Sequence, residues 1–390
     1  MKSILIISYS DLHKDPRILR QVQALKTIYK ISTIGYTPVN GNDICFYQAK
    51  QITSRNLSLK EKVSLFFCYI FNRRIYIKKA LNRITDLENV LSCDFIKPDI
   101  IIANDWNGLF LASSLKAKHR WETKIYFDAH EYSPKQFSNS LKWNLTIKPL
   151  IINVLKTCKN EISAMSTVCE GIAREYEKFF NFPLGYIKTI TNASDYYSNI
   201  KPQKNDESKI HLIHHGGAIK HRKLELMIKM MSYLDPAKYE LTFMLVKTNL
   251  AYYNYLVKKS RLYTNINYIE PVQFNNIIDK LNNYDIGIYL LKPNSFNTKY
   301  ALPNKIFEFI QARLAIAIGP SVEMSKIVND NNVGFVSKRF TPKSLADSIK
   351  QITSEKIMEY KSNSDKHAKS LSADENIIKI KNIINELSMI

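Results

Sequence analysis

The chain has 390 residues, which is long for a single hydrophobic core and fits two domains of ordinary size. Its 56 Lys and Arg residues against 35 Asp and Glu residues leave a formal charge of +21, which favours an anionic partner such as a nucleic acid, a membrane surface or a phosphorylated substrate. The five cysteines show no Cys-x-x-Cys spacing and suggest no zinc site, and no apolar run approaches the roughly 20 residues of a membrane-spanning helix. We expect a cytoplasmic protein, because such cysteines fit a reducing compartment and the apolar N-terminal run is too short for a signal peptide.

The N-terminal residues predict a βαβ unit. Residues 2–8 form an apolar strand pattern, Asp15 and Pro16 are suited to cap and start a helix, and residues 31–35 predict the next strand. The loop 9–15 contains no glycine. It is therefore neither a dinucleotide fingerprint nor a Walker phosphate loop, since both need glycine where the backbone approaches phosphate.

Residues 60–84 combine aromatic and aliphatic side chains with a cluster of basic ones, and Glu61 is the only acid among them. The basic residues considered for membrane contact are Arg73, Arg74, Lys78 and Lys79. This pattern is typical of a basic amphipathic helix that lies in a membrane interface, and a core helix with a solvated basic edge would look similar. We favour the membrane interpretation, because the whole chain is basic.

Two further predicted strands, 98–105 and 123–131, end in polar residues. Because the carboxyl ends of parallel strands meet at one edge of a sheet, we expect Asp105, Asp128, His130 and Glu131 to lie together there. A single histidine after a strand is more often a structural hydrogen-bonding residue than a catalytic one.

The second half of the chain again alternates strand and helix patterns, after a polar segment at 201–208 that predicts a linker. The predicted elements are strand 210–215 followed by Gly216 and Gly217, a helix from Lys223, strands 239–246 and 266–271, and a helix 274–284. The C-terminal residues 372–390 predict an amphipathic helix that begins with Ser372 and Glu375 as a capping box.

The stretch 285–319 predicts a strand, a loop, a short helix and another strand, and both strands look buried on two faces. Pro303 is suited to the first helical position, so we expect the helix to begin there. The free N–H groups of Asn304 and Lys305 would then favour an anion such as a diphosphate. Glu308 could accept hydrogen bonds from the hydroxyls of a ribose, or it could merely complement the helix dipole and pair with Lys305.

The string Leu-Pro-Asn-Lys-Ile-Phe-Glu-Phe at 302–309, followed by an apolar strand and Gly-Pro-Ser-Val-Glu-Met, resembles the donor-site signature of family 4 retaining glycosyltransferases of the bacterial surface-polysaccharide type. In that family the start of this helix, here Pro303, Asn304 and Lys305, holds the nucleotide diphosphate. The second Glu of a Glu-x7-Glu pattern, matched by Glu308, holds the ribose. Tyr300 stands where the first Glu would fall, so any contact of that Glu to the donor hexose must be supplied otherwise or is absent.

Other segments resemble the same family in the same order. Asp-Pro-Arg at 15–17 with Arg20-Gln21 resembles one subgroup, and in Asp-Ala-His-Glu the histidine, His130, would face the transferred sugar. The run from Gly217 through Arg222 resembles the diphosphate loop.

Three features of the donor loops follow from this resemblance. Arg222 stands where Lys is commoner and can bind phosphate with its planar fork. Gly217 stands where many relatives carry a second Arg, and Lys220 or Lys305 could supply the lost charge. The backbone from Glu270 to Val272 would meet the nucleobase.

The resemblance implies an α/β protein of the GT-B fold, with two doubly wound Rossmann-like domains that face a central cleft. We expect residues 1–200 to form the N-terminal, acceptor-side domain, onto which helix 372–390 packs back. This domain would carry Asp11, Asp105 and Glu131 on the acceptor side. Residues 201–371 would form the nucleotide-sugar donor domain, which includes Gly216 and Gly217.

The implied function is retaining transfer of a hexose or N-acetylhexosamine from a nucleotide-diphosphate donor, with a UDP-sugar favoured. The acceptor would be a hydroxyl of a glycan or lipid-linked molecule in lipopolysaccharide or capsule synthesis. His130 and Arg222 are the expected catalytic residues, and no metal or other cofactor is required. We expect a peripheral protein on the inner face of the cell membrane.

Two alternatives stay open from the sequence. A GT-B sugar-nucleotide epimerase would share the fold and the donor site. A non-catalytic protein that binds a nucleotide sugar or a polyanion would fit the Tyr300 departure. We expect no nucleic-acid partner, because no recognised nucleic-acid-binding module is present.

Overall fold

The computed structural model describes residues 1–41, 43–51, 59–204 and 208–389, without the side chains of residues 59, 61, 62 and 64–66. The chain divides into two compact units, Met1–Ile190 with Ile377–Ile390, and Thr191–Asn376. Each unit is an α/β structure built on its own parallel sheet.

The first unit contains, within the described residues, a seven-stranded parallel sheet in the order β3-β2-β1-β4-β5-β6-β7. The strands are β1 (Ser3–Ile7), β2 (Lys30–Gly35), β3 (Cys45–Gln48), β4 (Ile100–Asn104), β5 (Lys124–Ala129), β6 (Ile162–Thr167) and β7 (Lys188–Thr189). The helices are α1 (Pro16–Leu25), α2 (Leu59–Phe71), α3 (Arg73–Ile84), α4 (Leu87–Leu91), α5 (Asp105–His119), α6 (Leu141–Thr146), α7 (Lys148–Thr157) and α8 (Glu170–Phe180).

The start of α1 confirms the predicted cap. The Asp15 side chain accepts hydrogen bonds from the N–H groups of Arg17 and Ile18, and Pro16 occupies the first helical position, where a missing N–H has no cost. The strands on either side are rich in buried isoleucine, as expected for strands covered on both faces.

The predicted single helix over 60–84 is wrong in one respect, because two helices, α2 and α3, meet at Asn72. The Asn72 side chain accepts a hydrogen bond from the N–H of Ile75 at 3.2 Å and caps α3. A side chain that satisfies the first N–H groups of a helix favours a new start at that point.

The second unit contains, among its described residues, a six-stranded parallel sheet in the order β10-β9-β8-β11-β12-β13. The strands are β8 (Ile210–Gly217), β9 (Tyr239–Val246), β10 (Ile266–Ile269), β11 (Ile286–Tyr289), β12 (Ala315–Ile318) and β13 (Gly334–Val336). The helices are α9 (Glu225–Met231), α10 (Leu250–Ser260), α11 (Ile277–Asn282), α12 (Phe296–Lys299), α13 (Asn304–Gln311), α14 (Val322–Asp330), α15 (Pro342–Lys350) and α16 (Ser354–His367), and α17 (Ala373–Met389) ends the chain.

Two predicted helix starts in this unit are displaced. Pro303 has an extended backbone (φ −79°, ψ 157°) and is the N-cap of α13, so the helix begins at Asn304. Helix α9 begins at Glu225 instead of Lys223, because Lys223 takes a left-handed conformation (φ 51°) that ends a 3-10 turn over Lys220–Arg222. A left-handed residue cannot continue a right-handed helix.

The predicted domain bound at residue 200 and the predicted linker 201–208 both fall inside the second unit. Residues 205–207 of that linker lie outside the described residues. The segment from Thr191 belongs to this unit because it is hydrogen-bonded to it: the N–H of Thr191 donates to Asn376 Oδ1 at 3.2 Å, and the N–H of Tyr197 donates to Gln311 Oε1 at 3.2 Å.

The C-terminal part of α17 belongs to the first unit. Its buried residues Ile380, Ile384 and Leu387 share a hydrophobic core with residues of β1 and α1. Ser372 precedes the helix, and its Oγ accepts from the N–H of Asp374 at 3.2 Å.

Candidate functional site

A buried lysine lies in the second unit. The Lys305 side chain on α13 is 5% exposed, and its Nζ donates to the carbonyl oxygen of His215 at 2.9 Å. The same Nζ lies 3.2 Å from His214 Nε2 and 4.0 Å from the centre of the Tyr289 ring. The carboxyl end of β8 and the first turn of α13 therefore meet around this amine.

The protonation of His214 follows from its other neighbour. His214 Nδ1 lies 2.9 Å from the carbonyl oxygen of Ile288, and a carbonyl can only accept, so Nδ1 carries the proton. Burial, and then the nearby Lys305, lower the pKa of His214 well below its usual value, so the ring is neutral. His214 Nε2 is then an acceptor that orients the Lys305 amine.

The surroundings of Lys305 are suited to an anion. Among the described residues, no carboxylate forms an ion pair with Lys305, and its direct partners are a neutral ring, a carbonyl and an aromatic face. Burial, followed by the Arg222 cation, lowers the pKa of Lys305 well below its usual value. An anion placed beside the amine would oppose both effects and favour its positive charge.

Gly216 leaves the space between the two cations open. Its φ of 120° is a conformation that favours glycine, and a Cβ on it would lie 3.5 Å from Lys305 Nζ and 4.0 Å from Arg222 Nη1. The site therefore combines a backbone without a side chain with an amine and a guanidinium. These are the features that let phosphate oxygens approach closely.

Glu308 lies one turn further along α13. One interpretation of the sequence paired it with Lys305, but the two side chains form no ion pair in the structure. Its Oε2 lies 3.2 Å from His215 Nε2, yet the two groups are not aligned as a hydrogen bond, and His215 Nε2 is a buried atom without a hydrogen-bond partner. Burial raises the pKa of Glu308 to about 7. Burial and Lys305 lower the pKa of His215 to about 3. Buried polar groups are normally satisfied, so His215 Nε2 beside the Glu308 carboxylate is suited to a ligand that supplies the missing bond.

The other predicted donor residues have different surroundings. Glu270 is 76% exposed on its side chain and accepts from Lys247 Nζ at 2.7 Å, and Val272 is half-buried. A Cβ on Gly217 would lie 3.3 Å from Ile219 and Thr248, so Gly217 faces away from Lys305 and Arg222. Tyr300 ends α12.

A pocket of about 700 Å³ adjoins the loop that carries Arg222. Its polar lining comes from the loops after β8, β9 and β11 and includes Lys220, His221, Lys223, Thr248, Asn249 and Asn294. Arg222 is not among its lining residues.

The first unit contains the second predicted cluster, and here the structure brings His130 and Asp105 together. The N–H of His130 donates to Asp105 Oδ1 at 3.0 Å, and His130 Nδ1 lies 3.5 Å from Asp105 Oδ2. Asp105 has a φ of 57°, which is unusual for a residue other than glycine and places its carboxylate beside the histidine. His130 Nε2 lies 3.1 Å from Asn104 Oδ1.

The sequence predicted that Asp128 belongs to this cluster, but its hydrogen bonds are with other residues. It is 1% exposed and forms a buried ion pair with Arg17, whose Nε donates to Asp128 Oδ2 at 2.6 Å. Burial alone would raise the pKa of Asp128, but the Arg17 guanidinium lowers it below its usual value. Asp128 is therefore a structural group that joins β5 to α1.

The two remaining acceptor-side candidates, Asp11 and Glu131, contact different residues. Asp11 is exposed and accepts from Thr37 Oγ1 at 3.4 Å. Glu131 is exposed, and its backbone carbonyl accepts from the Tyr176 hydroxyl at 2.9 Å.

The first unit also exposes a cluster of apolar side chains, which we call the α2–α3–α6 surface. Its members are Phe67, Ile70, Phe71, Ile75, Leu141 and Leu145. Helix α2 is followed directly by α3, and α3 meets α6: the Tyr76 hydroxyl donates to the carbonyl of Thr146 at 3.3 Å, and Arg73 donates to that of Leu145 at 3.5 Å. Exposed basic side chains border it: Arg73, Arg74, Lys78, Lys79 and Lys142.

None of the helices in the described part of the chain is long and apolar enough to cross a membrane. Within the same residues, no group of three or more His, Cys, Asp or Glu side chains could hold a metal ion.

Sequence reasoning missed His214, His215 and Tyr289 in the second unit, and it did not assign Asn104 to the site in the first. The pair of histidines directly before Gly216 at a strand end was a usable signal, because side chains at the carboxyl ends of parallel strands face bound ligands. Nothing in the sequence around Asn104 distinguishes it from an ordinary strand end.

The sequence matches no protein-family model and no curated protein. The structure is similar to that of HepE from Anabaena in complex with UDP, with a TM-score of 0.69 at 11% identity over 98% of this chain and 100% of HepE. It is also similar to sucrose-phosphate synthase from Thermosynechococcus elongatus, with a TM-score of 0.70 at 10% identity over 100% of both chains. A glycosyltransferase from Rickettsia africae has a TM-score of 0.64 at 15% identity over 99% of this chain and 98% of its own. These neighbours are GT-B glycosyltransferases, and the chain therefore has the α/β GT-B fold.

Proposed function

We propose that the protein is a retaining glycosyltransferase that moves a hexose or N-acetylhexosamine from a UDP-sugar to a hydroxyl group. The observation that carries the proposal is the arrangement of Lys305 and Arg222 around Gly216, with Glu308 one turn further along α13. An anion-binding gap between two cations, followed by a buried carboxylate, fits a diphosphate joined to a ribose. HepE, which shares the fold, has been solved with UDP and with UDP-glucose.

The proposed reaction assigns a role to each of these groups. Breaking the bond between sugar and diphosphate leaves negative charge on the diphosphate, which Arg222, Lys305 and the start of α13 would stabilise. The acceptor hydroxyl would attack on the face from which the diphosphate leaves, and its proton would pass to the departing phosphate oxygen. His130 would position the sugar, without acting as a nucleophile. The chain's own cations would serve the leaving group, so we propose that transfer needs no metal ion.

We further propose that the acceptor is a glycan or is carried on a lipid, and that the protein works at an anionic membrane surface on the cytoplasmic side. The α2–α3–α6 surface supports this, because Phe71 and Leu141 are 77% and 75% exposed next to Arg73, Arg74 and Lys142. Apolar side chains that enter the lipid interface beside cations that attract anionic headgroups are typical of peripheral membrane proteins. A product of this kind fits the assembly of a bacterial surface polysaccharide.

The first experiment is thermal stabilisation with UDP, GDP, ADP and the corresponding nucleotide sugars, with and without magnesium. A ligand at 100 times its dissociation constant stabilises by about 2.7 kcal/mol, which is easily detected. We expect stabilisation by UDP and a UDP-sugar that does not depend on magnesium. If no nucleotide diphosphate stabilises the protein, even in the presence of acceptor and anionic vesicles, the proposed donor site is contradicted.

Product analysis then separates transfer from its alternatives. Incubation of the UDP-sugar with and without acceptor should give a glycosylated acceptor only when acceptor is present, with the anomeric configuration of the donor retained. An epimerised nucleotide sugar formed without acceptor would identify the epimerase alternative. Binding without any turnover would favour the non-catalytic alternative.

A further inference from the structure

We propose that Gln21 and Asn104 are positioning residues that hold the proton of His130 on Nε2, so that Nδ1 and the Asp105 carboxylate together form the edge that meets a substrate hydroxyl. The substrate part of this inference rests on the proposed function. The proton assignment rests only on hydrogen bonds within the first unit.

The orientation of the Asn104 amide is determined by a backbone group. Asn104 Nδ2 lies 3.1 Å from the carbonyl oxygen of Ile7, which can only accept a hydrogen bond. The NH2 group of Asn104 must therefore face Ile7, and Oδ1 must face the opposite side. Side-chain amides are assigned from such partners, and a backbone carbonyl leaves no second choice.

A second and independent constraint comes through Gln21. Gln21 Nε2 lies 2.8 Å from Asp128 Oδ2, a carboxylate that is kept ionised by Arg17 and can only accept. The Gln21 amide is thereby oriented, and the two amides bond reciprocally: Gln21 Nε2 donates to Asn104 Oδ1 at 2.9 Å, and Asn104 Nδ2 donates to Gln21 Oε1 at 3.0 Å. Both constraints make Asn104 Oδ1 an acceptor.

The histidine must adapt to this acceptor. His130 Nε2 lies 3.1 Å from Asn104 Oδ1, so Nε2 carries a proton and donates. Gln21 and Asn104 are 0% and 1% exposed, so water cannot replace the bond without a cost. The tautomer of His130 with its proton on Nδ1 would leave two acceptors facing each other in a part-buried place.

The other edge of the ring is the accessible one. The side chains of His130 and Asp105 are 24% and 38% exposed, and Nδ1 lies 3.5 Å from Asp105 Oδ2. A sugar or acceptor hydroxyl that reaches this edge can donate a hydrogen bond to Nδ1 or to the carboxylate. The geometry thus assigns the buried nitrogen to the protein and the outer nitrogen to the substrate.

The test is nitrogen-15 NMR of the full chain with labelled histidine, in which protonated and unprotonated ring nitrogens have well-separated shifts. A His130→Gln sample identifies the His130 signals among those of the eight histidines. We expect a protonated Nε2 in the free protein. A wild-type spectrum with the single proton on Nδ1 would overturn the proposal, and this measurement requires neither activity nor any other variant.

Variants then test whether the amide pair is responsible. Asn104→Ala removes the acceptor, so it should let the His130 proton redistribute between Nδ1 and Nε2. Gln21→Met keeps the length of the side chain but leaves the Asn104 amide held by Ile7 alone, so it should have the same effect to a smaller extent. The matched control is Tyr126→Phe. It removes a hydroxyl that lies 2.7 Å from Ser166 Oγ, and Ser166 donates to Asp128 Oδ1, whereas Gln21 donates to Oδ2. The control therefore changes the surroundings of Asp128 but leaves Gln21 in place. The control should keep the wild-type tautomer. An unchanged tautomer in folded Asn104→Ala protein would refute the role of the pair, and an unchanged tautomer in Gln21→Met alone would refute the role of Gln21.

The kinetic readout separates this proposal from the proposed function. In an active enzyme, Asn104→Ala should lower kcat by roughly tenfold or more while the KM for the donor changes little. The reason is that a misoriented His130 ring would disturb the alignment of the reacting groups more than the binding of the donor. A wild-type protein with the predicted tautomer but no transfer activity would contradict the proposed function and leave the proton assignment standing. Equal kcat in Asn104→Ala and wild type would refute the positioning role.

Discussion

Lys305 Nζ lies 3.2 Å from His214 Nε2, and the carbonyl of Ile288 holds the only proton of the neutral histidine on its other nitrogen. The Lys305 amine is therefore oriented by His214 Nε2, a neutral acceptor that does not form an ion pair with it. A buried cation with neutral neighbours is costly in the empty protein and favourable once an anion arrives. The first prediction tests this relationship.

Replacing His214 by Phe should weaken the binding of UDP. The substitution keeps a ring in the site but removes the acceptor of the Lys305 amine, and a hydrogen bond to a charged group contributes about 1.5–3 kcal/mol, or roughly tenfold and more in affinity. Isothermal titration with UDP measures the effect. His211→Gln is the matched control, because His211 is on the same strand and lies 3.6 Å from Glu240 instead. Equal UDP affinity of His214→Phe and wild type would show that Lys305 does not depend on this acceptor.

Replacing Glu308 by Gln should stabilise the empty protein at high pH. Burial raises the pKa of Glu308 from 4.5 to about 7, so the folded state binds this proton more tightly than the unfolded state. Stability is therefore lost as the pH rises from the unfolded to the folded pKa, and the full penalty above pH 7 is about 3 kcal/mol at roughly 1.4 kcal/mol per pKa unit.

Urea unfolding of wild type and Glu308→Gln in the absence of nucleotide, near pH 4 and near pH 8, measures this difference. We expect similar stabilities at the lower pH and a more stable variant at the higher one. The exposed Glu386 provides the control, Glu386→Gln, which should show no such gain. A variant that is less stable than wild type near pH 8 would mean that the Glu308 carboxylate is stabilised by its neighbours.

Replacing Arg222 by Ala should lower turnover more than donor affinity, whereas Glu308→Ala should mainly weaken donor binding. The guanidinium would act on charge that develops as the bond to the diphosphate breaks, and the removal of one such group typically costs about 100-fold or more in kcat. Steady-state kinetics with a UDP-sugar and separate UDP titrations distinguish the two effects. Unchanged kinetics in both variants would disprove the site assignment.

Gly216→Ala should reduce UDP binding beyond any effect on folding. Gly216 and Gly185 both have positive φ values, 120° and 81°, so alanine at either position is strained by about 1–3 kcal/mol. Only the Gly216 Cβ would enter the space beside Lys305 Nζ, whereas a Cβ on Gly185 meets no atom within 4 Å. UDP titration of the two variants compares them at similar backbone strain, and equal affinities would argue against an anion in that gap.

Binding to anionic vesicles should depend on the α2–α3–α6 surface. Phe71→Ser combined with Leu141→Ser removes its two most exposed side chains, so we expect less protein to float with the vesicles. Leu184→Ser is the control, because Leu184 is 84% exposed in the same unit but is not part of this surface. Wild-type protein that stays in solution with every anionic lipid tested would refute membrane contact.

Much of the fold could be predicted from local patterns. The strand predicted at 239–246 has the same bounds in the structure, and the Asp15 cap forms as its spacing indicated. Local patterns failed at the start of α3. Asn72 is the N-cap of this helix and divides the basic segment into two helices, but no proline or glycine marks the break. The choice depends on whether a side-chain oxygen captures nearby N–H groups, which a hydrophobic pattern does not record.

The sequence by itself determined the alternation of strands and helices, the basic charge, and the presence of Lys305 and Glu308 on a short helix, because each depends on composition or on neighbours a few residues away. Only the tertiary structure decided their partners. Lys305 meets His214 across 91 residues of sequence because β8 and β11 are adjacent, and Asp128 is withdrawn from the site by Arg17 across 111 residues. Such hydrogen bonds depend on the order of strands in a sheet, and strand order is set by the packing of the whole unit, which no local segment of the chain contains.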